Sequence, residues 1–173
     1  MATIKSPTGI ISYPNLFKAQ PRGGVAGAEN VFSLSLLFDA EAQSTTAFKA
    51  MKTAIDELID AYAKEKKVAA RLVRSPLLNG DEKNNDSYHG KLYVSPWSKF
   101  QPGVVNEDRQ QVLDANDVYA GMKARVVMNP YSWTNSGKHG VSLSLNGVQV
   151  FTNLDMPRLD GRQSVEAMFA DEF

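Results

Sequence analysis

The stretch GVSLSLNGVQVF, residues 140–151, decides the fold that we expect for this chain. Its apolar residues first occupy the odd positions from 141 to 145, which is typical of a strand with one buried face. They then move to the even positions Val148 and Val150, so the buried side changes at Asn146-Gly147. A hairpin turn or a β-bulge in one long strand explains such a change. We favour the bulge, because two three-residue arms would make a weak hairpin.

Four segments upstream also have the patterns of strands. Residues 31–38 alternate most clearly, with every second side chain from Phe32 onward apolar and on one face. Residues 9–18 form an earlier strand, in which Pro14 favours an edge position or a bulge because proline cannot donate to the ladder. The other two strands are predicted at residues 90–99 and 121–128.

One amphipathic helix is predicted between the strands at 31–38 and 90–99. Apolar residues recur at steps of three and four from about Ser44 to Lys67, so they form one stripe that can cover a sheet. The fold class is therefore mainly β with one inserted helix, an α+β arrangement. A small antiparallel barrel of five or more strands is the economical form, because closure removes sheet edges.

The composition of the 173 residues is that of one globular domain followed by a tail. Lys plus Arg and Asp plus Glu each total 19, so the overall charge does not indicate a strongly basic nucleic-acid binder. From Ser164 onward there are three acidic residues and no basic one, which leaves 19 basic against 16 acidic residues upstream. The sequence contains no cysteine, no apolar run of membrane-helix length and no signal-peptide pattern. We therefore expect a cytoplasmic protein without membrane contact.

Two of the predicted strands place basic and aromatic side chains on one face, with aliphatic side chains on the other. The candidate side chains are Lys91, Tyr93, Trp97, Lys99 and Phe100 in and after the first strand, and Lys123, Arg125, Tyr131 and Trp133 in and after the second. Single-stranded DNA requires this combination, because bases stack on flat rings while cations follow the phosphates. The alternative is that these rings belong to the core or its rim, with the aliphatic stems of the lysines lying beside them.

Catalytic chemistry has little support in the sequence. Only two histidines are present, His89 and His139, and each lies in a glycine-flanked polar segment typical of a surface loop. No phosphate-binding GxxxxGK[ST] motif occurs. Asp81 and Glu82 suggest a magnesium-dependent nuclease only weakly, because their segment has the composition of a solvated turn. We therefore predict a protein that is not an enzyme and that uses no metal or cofactor.

Several motifs, taken in order, resemble a family of bacteriophage proteins long catalogued as a domain of unknown function. They are SYPNLF at 12–17, LNGDEK at 78–83, PGVV at 102–105, the stretch from Asp117 to Phe151, and the acidic, aromatic end of the chain. The characterised members of that family bind single-stranded DNA through an oligonucleotide/oligosaccharide-binding (OB) fold. Residues 129–150 are also similar to the last barrel strands of the replicative single-stranded DNA-binding protein of lytic podophages.

The resemblance implies a five-stranded antiparallel OB barrel over residues 1–154 and an acidic C-terminal tail over residues 155–173. It implies binding of single-stranded DNA without sequence preference during phage replication, recombination or repair, in the cytoplasm of the infected bacterial host. The leading alternative is a virion or scaffold protein that uses the same barrel for protein contacts. A homodimer is compatible with either function.

The resemblance also implies that the tail competes with DNA and binds replication proteins such as a DNA polymerase, helicase or primase. The tail residues assigned to this role are Glu166, Phe169, Asp171, Glu172 and Phe173. The alternative for this segment is a short terminal helix that packs on the domain through Val165, Met168 and Phe169, which lie at helical spacing.

Overall fold

A computed structural model describes residues 3–159 of the chain. Within these residues the strands are β1 (Ile4–Lys5), β2 (Gly9–Pro21), β3 (Asn30–Phe38), β4 (Val73–Arg74), β5 (Leu78–Asn79), β6 (Leu92–Val94), β7 (Trp97–Ser98), β8 (Gly103–Val105), β9 (Lys123–Asn135) and β10 (Lys138–Val150). The α-helices of the same range are α1 (Ala40–Gln43) and α2 (Thr46–Lys66). The five tail residues to which partner binding was assigned, Glu166, Phe169, Asp171, Glu172 and Phe173, lie outside the described residues.

Five strands form a closed ring of hydrogen-bonded neighbours. The order around the ring is β2, β3, β7, β10 and β9, and β9 pairs with β2 again at Gly9 and Ala124. This ring encloses the main core, to which every ring strand except the short β7 contributes buried apolar side chains. The prediction of a mainly β chain with an inserted helix is confirmed, and the ring of five agrees with the expected OB fold.

The ring is not antiparallel throughout, so that part of the prediction is wrong. β10 pairs in parallel with β7, through Ser144 and Trp97, and also in parallel with β4 and β8. The reason is geometric: strands around a closed ring can alternate in direction only if their number is even. With five strands, one neighbouring pair must be parallel, and here it is the pair that closes the ring.

The β-bulge predicted in β10 is confirmed. Leu145 pairs with Met128 and Gly147 with Val127, so Asn146 is the extra residue that the ladder with β9 leaves unpaired. The inserted residue turns the apolar positions on both sides of it into the same core. At Pro14, where an edge position or a bulge was predicted, the structure has a bulge, because the pairing of β2 with β3 shifts between Ser12 and Asn15.

Helix α2 covers the core as the apolar stripe predicted. It begins after Thr45, whose hydroxyl accepts a hydrogen bond from the Phe48 amide at 3.1 Å, and it ends at Lys67 in the left-handed conformation (φ 57°). The side chains that it buries against the sheet are Phe48, Met51, Ile55, Ile59, Tyr62 and Ala63. No described helix is long and apolar enough to cross a membrane.

The single strand predicted at 90–99 is divided into β6 and β7. Pro96 lies between them and has no N–H to continue the ladder, although its carbonyl still accepts a hydrogen bond from the Leu34 amide at 3.4 Å. Both short strands pair with β3, so the ring continues across the interruption.

The chain stays against the domain for several residues after β10. The Tyr119 hydroxyl donates to the Met156 carbonyl at 3.2 Å, and the Leu159 amide donates to the Ala120 carbonyl at 2.8 Å. The Arg158 guanidinium lies 4.7 Å from the centre of the Tyr119 ring. The segment predicted to be a tail therefore begins, at residues 155–159, in contact with the sheet domain.

Candidate nucleic-acid interface

An open groove with a volume of about 920 Å³ crosses the surface of the ring. Its walls come from β2 and the loop after it, from β3, from residues 74–83, from β7, and from the β9–β10 hairpin. The aromatic and basic side chains among its lining residues are Tyr13, Arg22, Arg74, Lys83, Trp97 and Trp133. The groove therefore combines flat rings with positive charge.

Trp97 lies at the centre of a three-residue cluster in this groove. The Arg22 guanidinium carbon lies 4.1 Å from the centre of the Trp97 ring, which is the geometry of a cation–π contact. The Tyr131 ring meets the same indole edge-on, with centroids 6.4 Å apart and planes at 85°. The indole is therefore fixed in orientation although it is only partly buried.

Trp133 is held against the neighbouring strand β10. Its Nε1–H donates to the Ser142 hydroxyl at 2.9 Å, and its ring lies over Gly140, its cross-strand partner. A Cβ atom at position 140 would come within 2.7 Å of the indole Nε1, so glycine is required for this position of the ring.

Helix α2 fixes the hairpin on which Trp133 lies. The hydroxyl of the buried Tyr62 is 3.2 Å from the Trp133 carbonyl, 2.6 Å from the Thr134 hydroxyl and 2.8 Å from Nδ1 of His139. Three contacts from one side chain thus tie the end of α2 to both strands of the hairpin.

The charge of the groove is positive. Arg22, Arg74 and Lys83 line it, and no carboxylate is among its described lining residues. Cations in a cleft with protein walls raise the local concentration of anions more than the same cations on a flat surface, because the walls have a low dielectric constant. The neutral overall charge of the chain therefore hides a local positive field.

The structure brings three of the predicted site residues together. Trp97 and Trp133 line the groove, and Tyr131 contacts the Trp97 ring. Tyr93 lies on the strand face that the alternation indicated, but only 7% of it is exposed, because Tyr88 packs edge-on against it with centroids 5.0 Å apart. Burial raises the pKa of Tyr93 above its ordinary value, and the nearby Tyr88 and Glu82 act in the same direction.

The remaining DNA-binding predictions, all within residues 3–159, are Lys91, Lys99, Phe100, Lys123 and Arg125, and none of these five lines the groove. Lys91 donates to the Ser87 carbonyl at 2.8 Å, the Lys99 ammonium lies 3.5 Å from a Glu29 carboxylate oxygen, and Phe100 is 83% exposed. Lys123 and Arg125 lie at the opposite end of β9 from Trp133, about 26 Å from it for Arg125 at the usual rise per residue of a strand. Arg125 donates from Nε to the Gln149 side chain at 2.6 Å.

The groove also contains residues that were not predicted from the sequence, namely Tyr13, Arg22, Arg74 and Lys83. A signal for Arg22 was present, because it lies at the end of a strand and before two glycines. Gly23 and Gly24 have positive φ angles of 66° and 72°, and they turn the chain directly after the arginine. Arg74 and Lys83 lie in short irregular segments without a periodic pattern, so no comparable signal existed for them.

Asp81, one of the two carboxylates considered for a nuclease, has a structural role. Asp81 accepts a hydrogen bond from the Gly90 amide at 2.7 Å and so closes the loop of residues 81–90. Within residues 3–159, no group of three or more histidine and carboxylate side chains is placed to hold a metal ion.

Comparison with known proteins places the chain in a family. A family model described as the ssDNA-binding protein of Enterobacter phage Enc34 matches residues 5–173. The chain belongs to this family. The family is defined by DNA binding and not by a catalytic activity.

Solved structures of related proteins have the same fold. The single-stranded DNA-binding protein from bacteriophage Enc34 in complex with ssDNA is 25% identical, with a TM-score of 0.71 over 91% of this chain and 89% of that one. The single-stranded DNA-binding protein gp2.5 of bacteriophage T7 is 17% identical, with a TM-score of 0.61 over 95% of this chain and 98% of that one, and this likeness shows the fold alone.

A curated relative is closer in sequence but matches over a shorter length. The protein p50 of Acyrthosiphon pisum secondary endosymbiont phage 1 is 39% identical over 92 residues. The match covers 52% of this chain and 49% of that relative. The chain therefore spans about half the length of the curated relative that it matches.

Replacement of Gly140 by alanine is expected to displace Trp133. In a Trp97→Phe background, where Trp133 is the remaining tryptophan, Gly140→Ala should shift the fluorescence emission of Trp133. It should also lower the free energy of unfolding in urea by about 1–3 kcal/mol, because the added methyl overpacks the site. Gly103→Ala is the control, since a Cβ there meets no atom within 4 Å. Equal spectra for the two variants would contradict the packing described.

Proposed function

We propose that this protein binds single-stranded DNA without sequence preference along the groove. The observation that carries the proposal is the presence of Trp97, with Arg22 over its ring, and of Trp133 in a groove lined by cations and, among the described residues, by no carboxylate. Membership of a family described as ssDNA-binding supports the same function. The position of the groove supports the same function. OB folds generally bind oligonucleotides across the second and third barrel strands and across the loops between the first and second and between the fourth and fifth strands. In this chain those parts are β3, β7, the loop after β2 and the β9–β10 hairpin, and all of them line the groove.

Stacking supplies the part of the binding energy that does not depend on sequence. Every base has an aromatic face, so indole and phenol rings accept any of the four at about 1–3 kcal/mol each. Trp97 and Trp133 are the proposed stacking residues, and Tyr131 supports Trp97 from the side. The ring of Tyr93 is covered by Tyr88, so we leave it out of the proposed contact set.

Phosphate contacts are assigned to the cations of the groove, Arg22, Arg74 and Lys83. Arginine suits both parts of the ligand, because its planar guanidinium stacks on rings and also forms paired hydrogen bonds to phosphate. The predictions for Lys91, Lys99, Phe100, Lys123 and Arg125 stay predictions for contacts outside the groove.

In the phage life cycle, we assign this activity to DNA replication, recombination or repair in the cytoplasm of the infected bacterial cell. Single strands are exposed in all three processes, and a binder that ignores sequence can cover them wherever they arise. The acidic residues after Ser164 and the final Phe173 are proposed to compete with DNA and to bind a replication protein such as a polymerase, helicase or primase.

The proposed function is tested by titration of dye-labelled oligo-dT with the protein at low salt, followed by fluorescence anisotropy. Trp97→Ala should weaken binding by about 5- to 150-fold, because one stacked base is lost. Trp97→Phe should weaken the binding of oligo-dT less than Trp97→Ala does, because an aromatic ring remains at the position. Thermal unfolding of both variants checks that they are folded. Wild-type protein that does not bind oligo-dT would refute the proposal.

The salt dependence of binding should report the phosphate contact of Arg22. The logarithm of the binding constant falls with the logarithm of salt concentration at a slope of about −0.7 per phosphate neutralised on a single strand. Arg22→Ala should therefore make the slope shallower by about 0.7. Lys49→Ala removes an exposed charge from α2, which does not line the groove, and should leave the slope unchanged. Identical slopes for both variants would exclude Arg22 from phosphate binding.

Removal of residues 164–173 should tighten binding of oligo-dT and leave the thermal stability of the domain unchanged. A tethered anionic segment has a high effective concentration near a cationic groove, so its loss removes a competitor. Replacing Glu166, Asp171 and Glu172 by their amides keeps the length and should have the same effect. Weaker or unchanged binding in both variants would show that the tail does not compete.

A further inference from the structure

Tyr13 has an unusual backbone conformation for its position and residue type. Its φ angle is +47°, in the left-handed region that large side chains rarely adopt, and it lies in the bulge of β2 between Ser12 and Asn15. The side chain is 60% exposed although it is a large aromatic group. Backbone strain of this kind persists where the surrounding structure enforces it, and it clusters at functional sites.

Contacts with two neighbouring residues hold the Tyr13 side chain in place at the surface. The ring lies beside Tyr88, with centroids 6.4 Å apart and planes tilted by 37°, and its hydroxyl accepts a hydrogen bond from the Asn85 side chain at 3.1 Å. Tyr88 is itself fully buried and donates from its hydroxyl to Ser12 at 2.9 Å. The contacts with Tyr88 and Asn85 thus fix the orientation of the exposed ring, as a stacking residue requires.

Tyr13 also lines two cavities. It belongs to the wall of the groove described above and to the wall of a second cavity of about 420 Å³. Polar side chains that line the second cavity include Ser12, Asn85, Ser87 and Asn116. The Tyr119 ring, over which the Arg158 guanidinium lies, forms another part of its wall.

We propose that Tyr13 stacks a base at the end of the groove and that the second cavity receives the next nucleobase of the same strand. This inference rests on the proposed function, and it extends the DNA path beyond the groove to a site that none of the sequence patterns indicated. The ligand of the second cavity is a nucleobase joined to the strand in the groove, because Tyr13 is common to both walls.

The chemistry of the second cavity suits bases of any type. The Asn116 amide offers both a donor and an acceptor, and the Ser87 hydroxyl can act as either, so both adapt to different base edges. The side chain of Asn116 makes no hydrogen bond with other residues in the described range 3–159 and is exposed. The Tyr119 ring, with the Arg158 guanidinium over it, adds an aromatic group to the wall of this cavity.

The test uses the full-length protein and oligo-dT strands of about 4 to 16 nucleotides, the range of site sizes for one OB fold. In wild-type protein, affinity should rise with the length of the oligo-dT strand. One of the increases, at the length that first reaches Tyr13, should depend on the Tyr13 ring. In Tyr13→Asn, that increase should be lost. Binding of the longer strands should then be weaker by about 5- to 150-fold, while the affinity for the shortest strands that bind should not change. Tyr13→Phe should retain the increase, because the ring is retained.

Stability separates a binding role from a structural one. Asparagine tolerates the left-handed conformation better than tyrosine, so Tyr13→Asn should fold and have a thermal midpoint no lower than that of the wild type. Lower affinity for long strands in a protein of undiminished stability is the expected result. An abasic nucleotide placed at successive positions should reduce wild-type binding at the position stacked on Tyr13 and have no effect there in Tyr13→Asn.

The outcomes distinguish this inference from the function on which it rests. If wild-type protein binds oligo-dT and Tyr13→Asn binds each length as tightly as the wild type does, the inference about Tyr13 is wrong and the proposed function stands. If Tyr13→Asn loses affinity for all lengths in proportion to a lowered thermal midpoint, Tyr13 has a structural role and the inference is wrong. If wild-type protein binds no length, both are wrong.

Discussion

The hydrogen bonds on both edges of β10 are the constraint on which the rest of the structure depends. One edge pairs along nearly the whole length of β9, and the other meets the three short strands β4, β7 and β8 in parallel. Because these strands come from the middle of the chain, their pairing joins its two halves into one ring. The bulge at Asn146 lets β10 do this while its apolar side chains stay in a single core.

Closure of the ring is also what assembles the groove. Trp97 and Tyr131 are 34 positions apart in the sequence, and their rings meet because β7 and β9 flank β10 on opposite edges. Arg22 joins them from the loop between β2 and β3. The site is thus a product of strand order, and the hydrogen bonds of Tyr62 connect the hairpin that carries Trp133 to α2.

Features set by local periodicity could be predicted from the sequence, and features set by distant segments could not. The bulge, α2 and the positions of Trp97 and Trp133 follow from alternation and residue type within short windows. The expected exposure of Tyr93 failed because Tyr88, from a segment without any pattern, folds over it. Two glycines after Arg22 indicated a turn at this residue, but only the folded chain brings its guanidinium to an indole. The parallel closure of the ring depends on the number of strands, a property of the whole fold.

The contact between Arg22 and Trp97 has a consequence for the entropy of binding. A lone indole on a surface samples several rotamers, and a ligand that stacks on it must first select one of them. Here the guanidinium already occupies the ring at 4.1 Å and Tyr131 supports its edge, so the orientation is chosen before any strand arrives. For a strand that binds as proposed, stacking becomes an exchange of partners, and the displaced guanidinium is released beside the incoming phosphate.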